Sequence, residues 1–246
     1  MSKNQVNKAT PQGVATSEIP EFLRNLGGVG NENVSRADMV VPRLVLLQAL
    51  SPQLKRSDEA NYIEGAEPGM LVNTVTQDKY TSLKVVNCFF EHEFAVFKKR
   101  TAGGGFRGTF PTLQAAQNHV NISPDASDLE VSEQAVHYVL IVGEDGSYQG
   151  EAALVLASTK MKVSRKWNSL ISLAGGNSSP RFSRLWKLGS VEERNAMGDF
   201  YNLTVSPAGF ITEALAAPAM ALYEAVKAGT KAVERTAKDG GAETEY

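Results

Sequence analysis

Residues 160–187 combine basic and aromatic side chains in a pattern that would suit a polyanion carrying planar rings. Between Glu151 and Gly189 the local net charge is +6, in a chain whose formal net charge is −2. Proteins hold single-stranded nucleic acids with basic grooves that follow the phosphates and with aromatic faces that stack on the bases. The pattern predicts base stacking by Phe182 and Trp186 and phosphate contacts by seven cations: Lys160, Lys162, Arg165, Lys166, Arg181, Arg184 and Lys187.

The first half of this stretch also fits a core helix with a basic outer side. Apolar residues recur at helical spacing between residues 159 and 174, and one of them is Trp167. Ser158 or Thr159 would cap this helix, and Gly175 would end it. The spacing favours Trp167 as a core anchor over a base-stacking platform. A solvated basic face without a ligand therefore remains the alternative interpretation.

A second basic and aromatic cluster surrounds three consecutive glycines at residues 103–105. Its members are Lys98, Lys99, Arg100, Phe106 and Arg107. The segment lacks the Gly-Lys-Ser/Thr ending of a phosphate-binding P-loop and no helix is predicted to follow it. Two alternatives stay open, a flexible β-hairpin tip that closes over a nucleic-acid strand and a mobile loop without a ligand.

Catalytic motifs are absent from the sequence. The segment Phe89-Phe90-Glu91-His92-Glu93-Phe94 suggests metal ligands, but side chains alternate along a strand, so the two glutamates and the histidine face opposite ways. His119 and His137 stand alone, and one cysteine excludes thiolate clusters. We expect neither a metal nor another cofactor, and no enzymatic activity. A nuclease built from distant carboxylates would carry no local motif, so it stays a third hypothesis.

The elements that would position these residues indicate an α+β, mostly β, chain. Strands are predicted after Met70, through residues 82–100, in a hairpin over residues 137–158 with Asp145-Gly146 as its turn, and at residues 200–205. Helices are predicted at about residues 159–174 and 212–237. The segment at residues 177–190 reads as loop-like because of Pro180 and the preceding glycines.

The composition indicates a folded protein that stays inside the cell. Hydrophobic residues make up 42% of 246 residues, which is enough for a sizeable core. No segment approaches the roughly 20 apolar residues that span a bilayer, and the residues after Met1 are polar. Cys88 is the single cysteine, which fits a reducing compartment. We expect a cytoplasmic protein without membrane contact.

Three segments together resemble small proteins from the replication regions of tailed bacteriophages. They are VVPRLVLLQALSPQ, GMLVNTVT and KVSRKWNSLI, within residues 38–206. A second resemblance is to single-stranded DNA-binding proteins of phages and bacteria, because the chain ends with Glu243, Glu245 and Tyr246, like their acidic tails with an aromatic end. The tail of this chain differs from theirs, because it is short, carries few acids and ends in Tyr where Phe is more familiar.

The second resemblance implies an oligonucleotide/oligosaccharide-binding (OB) barrel, mostly antiparallel, with one packed internal helix and a long C-terminal helix outside it. The implied organisation is a flexible tail at residues 1–36, the OB-like domain at 37–210, the helix at 211–238 and an acidic tail at 239–246. The implied function is non-catalytic binding of single-stranded DNA in phage replication or recombination, with host-cytoplasmic localisation. The tail would recruit replication or recombination proteins, and a homo-oligomer is compatible with the long helix.

The main alternative is a protein-interaction module, such as an accessory or inhibitor of a host or phage enzyme. In that case the C-terminal helix mediates assembly and the basic residues contact an acidic partner. Steep salt dependence of oligonucleotide binding distinguishes the two hypotheses, because neutralised phosphates release counterions.

Overall fold

The computed structural model of the chain describes residues 21–233, apart from residues 28, 35–40, 59, 176–177 and 196–197. The chain divides into two units, Met1–Val34 and Ser35–Tyr246. In the first unit, Glu21–Leu26 form a 3₁₀ helix whose described side chains are exposed. All the sheets and α-helices of the described residues belong to the second unit.

Nine β-strands among the described residues form two antiparallel sheets. The strands are β1 (Leu44–Leu46), β2 (Leu71–Asn73), β3 (Lys79–Tyr80), β4 (Leu83–Lys98), β5 (Phe106–Phe110), β6 (Leu129–Val142), β7 (Tyr148–Ala157), β8 (Arg184–Asn195) and β9 (Gly198–Phe210). The small sheet has the order β1-β2-β3. The large sheet has the order β7-β6-β4-β8-β9, and β5 pairs with one end of β4.

Strand β4 is the centre of the large sheet and is paired unevenly. Strand β6 accompanies it along nearly its whole length. On its other side, β8 pairs with Leu83–Val86 and β5 pairs with Phe94–Phe97. Among the described residues, positions 87–93 therefore have no strand partner on that side. A register shift between Asn87 and Phe89 marks a bulge at the start of this gap.

Three α-helices of the described residues cover the large sheet on both faces. They are α1 (Leu113–Ile122), α2 (Met161–Gly175) and α3 (Glu213–Lys227). On one face, α1 packs against Phe94 and Val131, and α2 places Trp167 against His137. On the other face, α3 packs against a second cluster that includes Tyr138 and Leu140. The α+β class with mostly antiparallel sheets is confirmed.

The sequence of β6 explains this layered arrangement. Nine consecutive residues, Gln134–Val142, are all buried. A strand that is covered on both faces must place apolar side chains both ways, so its sequence reads as a continuous apolar run. Odd-numbered members such as Val139 and Ile141 join the core under α2, and even-numbered members from Val136 onwards join the core under α3. Two helical layers are needed to bury both sets.

Within the described residues, the large sheet has open ends at β7 and β9 and is not closed into a barrel. The segment containing β1 contacts both ends. The Ala153 amide of β7 donates a hydrogen bond of 2.8 Å to the Pro42 carbonyl. At the other end, the Gln48 side-chain amide exchanges two hydrogen bonds of 2.9 Å with the backbone of Tyr201 in β9.

Several predicted elements have different limits in the structure. The segment predicted to be loop-like becomes β8 from Arg184 onwards, because Trp186 and Leu188 alternate into the core. Strand β9 continues past Pro207, which is tolerated because β9 is an edge strand. Helix α2 follows a 3₁₀ turn, Ser158–Lys160, so the predicted side-chain cap is wrong.

The C-terminal helix is shorter than predicted. Helix α3 ends at Lys227, and Gly229 adopts a left-handed conformation with φ of +68°. Glycine accepts this conformation without a Cβ clash and commonly stops helices. Residues 228–233 follow the helix without helical structure, and Lys231 forms an ion pair with Glu151 on β7. Residues 234–246 lie outside the described part of the chain.

Candidate nucleic-acid interface

The predicted cations of α2 lie on the helix surface, but acids from neighbouring strands pair with two of them. Lys162 Nζ is 2.7 Å from Glu193 Oε2, and Arg165 Nη2 is 3.7 Å from Glu133 Oε1. Hydrogen bonds from Lys162 and Asn202 lower the pKa of Glu193. Lys166 is exposed, whereas Lys160 is buried, with 9% of its surface exposed. The positive charge of this stretch is thus partly neutralised in space.

The second predicted cluster forms the turn between β4 and β5. Lys98 donates its backbone amide to Gly105, and the turn includes a 3₁₀ helix that starts at the exposed Arg100. Lys99 Nζ bonds the carbonyl of Ser127 at 2.7 Å, and Arg107 pairs with Asp125 at 3.1 Å. Phe106 contacts Phe97, with 5.7 Å between the ring centroids. These contacts fix the turn against the segment that follows α1.

The predicted residues between 181 and 187 point to different sides of the large sheet. Phe182 packs into the cluster under α3, and the alternation of β8 places Lys187 on that same face, opposite to Trp186. Arg184 Nη2 bonds the Ala174 carbonyl at the end of α2, and its guanidinium lies 4.3 Å from the ring centroid of Phe210. The structure therefore does not gather these residues on one surface.

Both tryptophans belong to the core beneath α2. Trp167 and Trp186 have 0% exposure, and their rings meet edge to face at a centroid distance of 6.1 Å. The spacing-based preference for Trp167 as a core anchor agrees with this position. Trp186, predicted to stack on bases, presents no free ring face in this structure, because its inward position on β8 buries it.

A row of aromatic side chains lies on β4, in the segment whose Glu91, His92 and Glu93 suggest metal ligands in the sequence. In an antiparallel ladder directly opposed residues share a face, so the register places Phe90, His92 and Phe94 on the same face as Glu133 and His137. This face is the one covered by α1 and α2. Phe90 and Phe94 are partly buried under these helices, and His92 between them is exposed. The alternation of rings with Glu91 and Glu93 was the available sequence signal.

Cations border this row. His92 Nε2 is 2.9 Å from Glu133 Oε1, the same oxygen that Arg165 approaches. The Arg181 guanidinium lies over the ring of Phe90 at 5.2 Å from its centroid. A cleft of about 480 Å³ is lined by Glu133, Lys162 and Arg165, among others. Rings and cations thus meet on the face between α1 and α2.

A buried polar cluster anchors Arg181 at the gap beside β4. Arg181 Nε donates to Asn87 Oδ1 at 2.7 Å, and Nη2 donates to Asn168 Oδ1 at 2.5 Å. The Asn87 amide nitrogen is 2.9 Å from His137 Nδ1, and His137 Nε2 is 2.9 Å from Ser164 Oγ. Burial, with a smaller contribution from Arg181, lowers the pKa of His137 to about 3. Neutral His137 also stacks on Trp167 at a centroid distance of 4.7 Å.

The direction of the hydrogen bonds in this cluster decides what chemistry it can perform. Because Asn87 Oδ1 accepts from Arg181, the amide N–H of Asn87 must donate to His137 Nδ1. The proton of neutral His137 then resides on Nε2 and is donated to Ser164 Oγ. A serine nucleophile needs the opposite direction, with the imidazole accepting the hydroxyl proton. The Ser-His-Asn geometry is therefore unsuited to activating Ser164, which is also 2% exposed.

Glu91 and His92 contact residues on opposite faces of the sheet, as the alternation predicts. Glu91 accepts a hydrogen bond from the Tyr138 hydroxyl at 3.0 Å. Within the described part of the chain, no three His, Cys, Asp or Glu side chains are placed to hold a metal ion. The described helices include none that is long and apolar enough to cross a bilayer. Glu243, Glu245 and Tyr246 lie outside the described residues, so their partner-binding role stays a prediction.

The fold of the described residues is α+β with two antiparallel sheets, and a comparison of the sequence with known protein families shows the class of protein. The model of the family described as Pam3 phage gp34-like protein matches residues 12–232, which is most of the chain. The chain therefore belongs to this family, and the expectation of a bacteriophage protein is confirmed. No curated protein and no solved structure matches the chain.

Proposed function

We propose that this phage protein binds single-stranded DNA without catalysis and with little sequence preference, protecting it during replication or recombination. The observation that carries the proposal is the row of Phe90, His92 and Phe94 beside Arg165 and Arg181. Stacking on rings tolerates every base, and nearby cations attract phosphates regardless of sequence. A strand crossing β4 between α1 and α2 would meet both.

The contacts in this proposal differ from those predicted from the sequence. Bases would stack on exposed His92 and contact the partly buried rings of Phe90 and Phe94. Phosphates would contact Arg165 and Arg181, with Lys98 at the end of the same face of β4. Lys187 and Phe182 lie on the opposite face of the large sheet, and Trp186 lies in the core. The 98–107 turn remains a candidate clamp at the end of the row.

The OB-like part of the proposal concerns the segment of β1. It contacts both open ends of the large sheet through Pro42 and Gln48. Such bridging resembles the closure of a small barrel, in which one strand contacts both sheet edges. This similarity supports the proposal, although the large sheet has the strand order β7-β6-β4-β8-β9 and is open at both ends.

Non-catalytic binding is favoured by the direction of hydrogen bonds around His137. The buried Ser164 Oγ accepts a hydrogen bond from His137 Nε2, so the hydroxyl is not activated as a nucleophile. The cluster therefore serves to position Arg181, which contacts the proposed binding face.

The test is fluorescence anisotropy of a labelled thymidine oligonucleotide and of a duplex of equal length, across a salt series. We expect preference for the single strand and a steep fall of log K with log salt. His92→Ala should weaken binding by about 1–3 kcal/mol, the usual contribution of one base stack. Tyr148→Ala is the matched control, because Tyr148 is also an exposed ring and is paired with Val142 of the α3-side core.

Two results would contradict the proposal. One is the absence of oligonucleotide binding at low salt, which would leave an acidic protein partner as the alternative. The other is equal loss of affinity in His92→Ala and Tyr148→Ala, which would place the strand elsewhere. Loss of labelled oligonucleotide in the presence of magnesium would instead reveal a nuclease.

A further inference from the structure

The guanidinium of Arg181 carries a charge that no carboxylate of the described residues neutralises. Its hydrogen-bond partners are the side chains of Asn87 and Asn168, with His137 Nδ1 at 3.4 Å from Nη2. All three partners are uncharged. Lys162, Arg107 and Lys231 each contact a carboxylate instead. Arg184 contacts the Ala174 carbonyl and the ring of Phe210. Arg181 is therefore held firmly without being neutralised.

The hydrogen bonds run outwards from Arg181 and fix its orientation. Nε is committed to Asn87, and Nη2 is committed to Asn168. Nη1 has no hydrogen-bond partner among the described residues, yet it is not one of the fully enclosed polar atoms without partners, which are the indole nitrogens of Trp167 and Trp186. One edge of a guanidinium that two hydrogen bonds orient thus keeps some accessible surface.

Burial of this charge has a cost that an anion would offset. Burial lowers the pKa of Arg181 to about 10 from its usual 12.5, which shows that its surroundings disfavour the charged form. A bound anion next to Nη1 would favour the charged form again. Arginine is suited to phosphate because its planar N–H groups match the oxygens in direction, and pre-ordering reduces the entropy lost on binding.

We propose that Arg181 Nη1 is the central donor of a phosphate-binding site, in which Asn87 and Asn168 are positioning residues. The ligand is a phosphate group, carried either by a nucleic-acid backbone or by a small phosphate compound. The inference goes beyond strand binding, because one phosphate at one arginine does not require a strand. His137 and Ser164 continue the hydrogen bonds of Asn87 into the core and do not contact the ligand.

The test on the unmodified chain follows the Nε–H signals of arginines by ¹⁵N-correlated NMR during titration with inorganic phosphate. The Arg181 Nε–H is protected by Asn87 and should give a resolved signal, which Arg181→Lys identifies by its disappearance. We expect a saturable shift of this signal with sodium phosphate and none with sodium chloride at equal ionic strength. Arg194, exposed and ion-paired with Asp199, is the internal control. The absence of a saturable shift at Arg181, or an identical response to chloride, would overturn the proposal.

Variants give a second, independent measurement. Arg181→Gln and Arg181→Lys should each weaken phosphate binding at least tenfold, since the first loses the charge and the second loses the planar fork. Arg194→Gln removes the same charge and should bind phosphate as the original chain does. Binding by Arg181→Gln at the original affinity would contradict the site. Thermal unfolding shows whether each variant is folded, and the titration of the unmodified chain stands if one is not.

A thymidine oligonucleotide in the same NMR experiment separates this proposal from the previous one. If phosphate shifts Arg181 and the oligonucleotide does not bind, the site takes a small phosphate compound and strand binding fails alone. If the oligonucleotide binds without shifting Arg181, and inorganic phosphate also leaves it unshifted, the phosphate site fails alone. Shifts with both ligands support a backbone phosphate at Arg181.

Discussion

Arg165 and Arg181 come from the same basic stretch of sequence and have opposite environments. Arg165 is 70% exposed at its side chain and faces the carboxylate of Glu133. Arg181 is partly buried and faces two asparagines and a neutral histidine. An exposed ion pair contributes about 0–1 kcal/mol and is screened by salt. A buried charge without a counter-charge is costly, so its retention points to a ligand.

The comparison shows why charge along the sequence is an incomplete guide to charge in space. Residues 151–189 have one acid, but Glu133 of β6 and Glu193 of β8 contact the cations on the surface of α2. Lys162 and Arg165 on the exposed side of α2 are therefore paired with acids, whereas the partly buried Arg181 at the sheet gap has no carboxylate partner among the described residues. The strongest binding candidate is the residue whose partners are neutral.

The largest expected effect tests whether Trp186 belongs to the core and not to the binding face. Trp186→Ala should destabilise the protein by about 3–5 kcal/mol, as for other buried large aromatic residues. Urea unfolding measures this change. Trp186→Phe, which retains much of the packing, should bind oligonucleotide normally. A folded Trp186→Phe that had lost oligonucleotide binding would return Trp186 to the interface.

The second effect concerns His137, the neutral neighbour that frames Arg181. Its pKa is about 3 in the folded chain and 6.5 in the unfolded chain, so the unfolded chain binds the extra proton between these values. Stability from this residue is fully present above pH 6.5 and is lost as pH falls towards 3, by about 1.4 kcal/mol per pH unit. Urea unfolding at pH 7 and pH 5 should differ by about 2 kcal/mol.

His137→Gln supplies the control for this pH dependence. The variant should be less stable at pH 7, because its contacts with Asn87 and Ser164 change, but its stability should depend less on pH between 7 and 5. An unchanged slope in His137→Gln would mean that another group titrates in this range and that His137 is not the buried neutral residue.

Sequence patterns located most of the fold and the cations of the candidate site, but not the row of rings on β4. The mostly apolar run of β6 and the Asp145-Gly146 turn were sufficient for the β6–β7 hairpin, because burial on both faces and turn geometry are local properties. The site depends on contacts such as that of Arg181 with Asn87, 94 positions apart. Helical spacing likewise placed Trp167 correctly, whereas Trp186 needed the unpredicted β8.

The third effect compares the two faces of the large sheet. Arg165→Gln should weaken oligonucleotide binding and lower the slope of log K against log salt by about 0.7, the value for one phosphate contact on a single strand. Lys187→Gln makes the same charge change on the α3 side and should leave the slope unchanged. A salt series of anisotropy titrations measures both. Equal slopes for the two variants would show that long-range attraction, and not the face between α1 and α2, governs binding.

The smallest expected effect reverses the neutralisation that distinguishes Arg165 from Arg181. Glu133→Gln removes the carboxylate that Arg165 and His92 share, so Arg165 becomes free to contact a phosphate. Stability should change by less than about 1 kcal/mol, because the pair is exposed. Oligonucleotide affinity should rise a few-fold at low salt, and the gain should shrink as salt increases.

Glu144→Gln is the matched control, because it breaks an exposed ion pair with Lys84, whose alternation with Val85 places it on the α3 side. An equal gain in both variants would mean that net charge alone sets affinity, and no gain in either would separate Arg165 from the binding face.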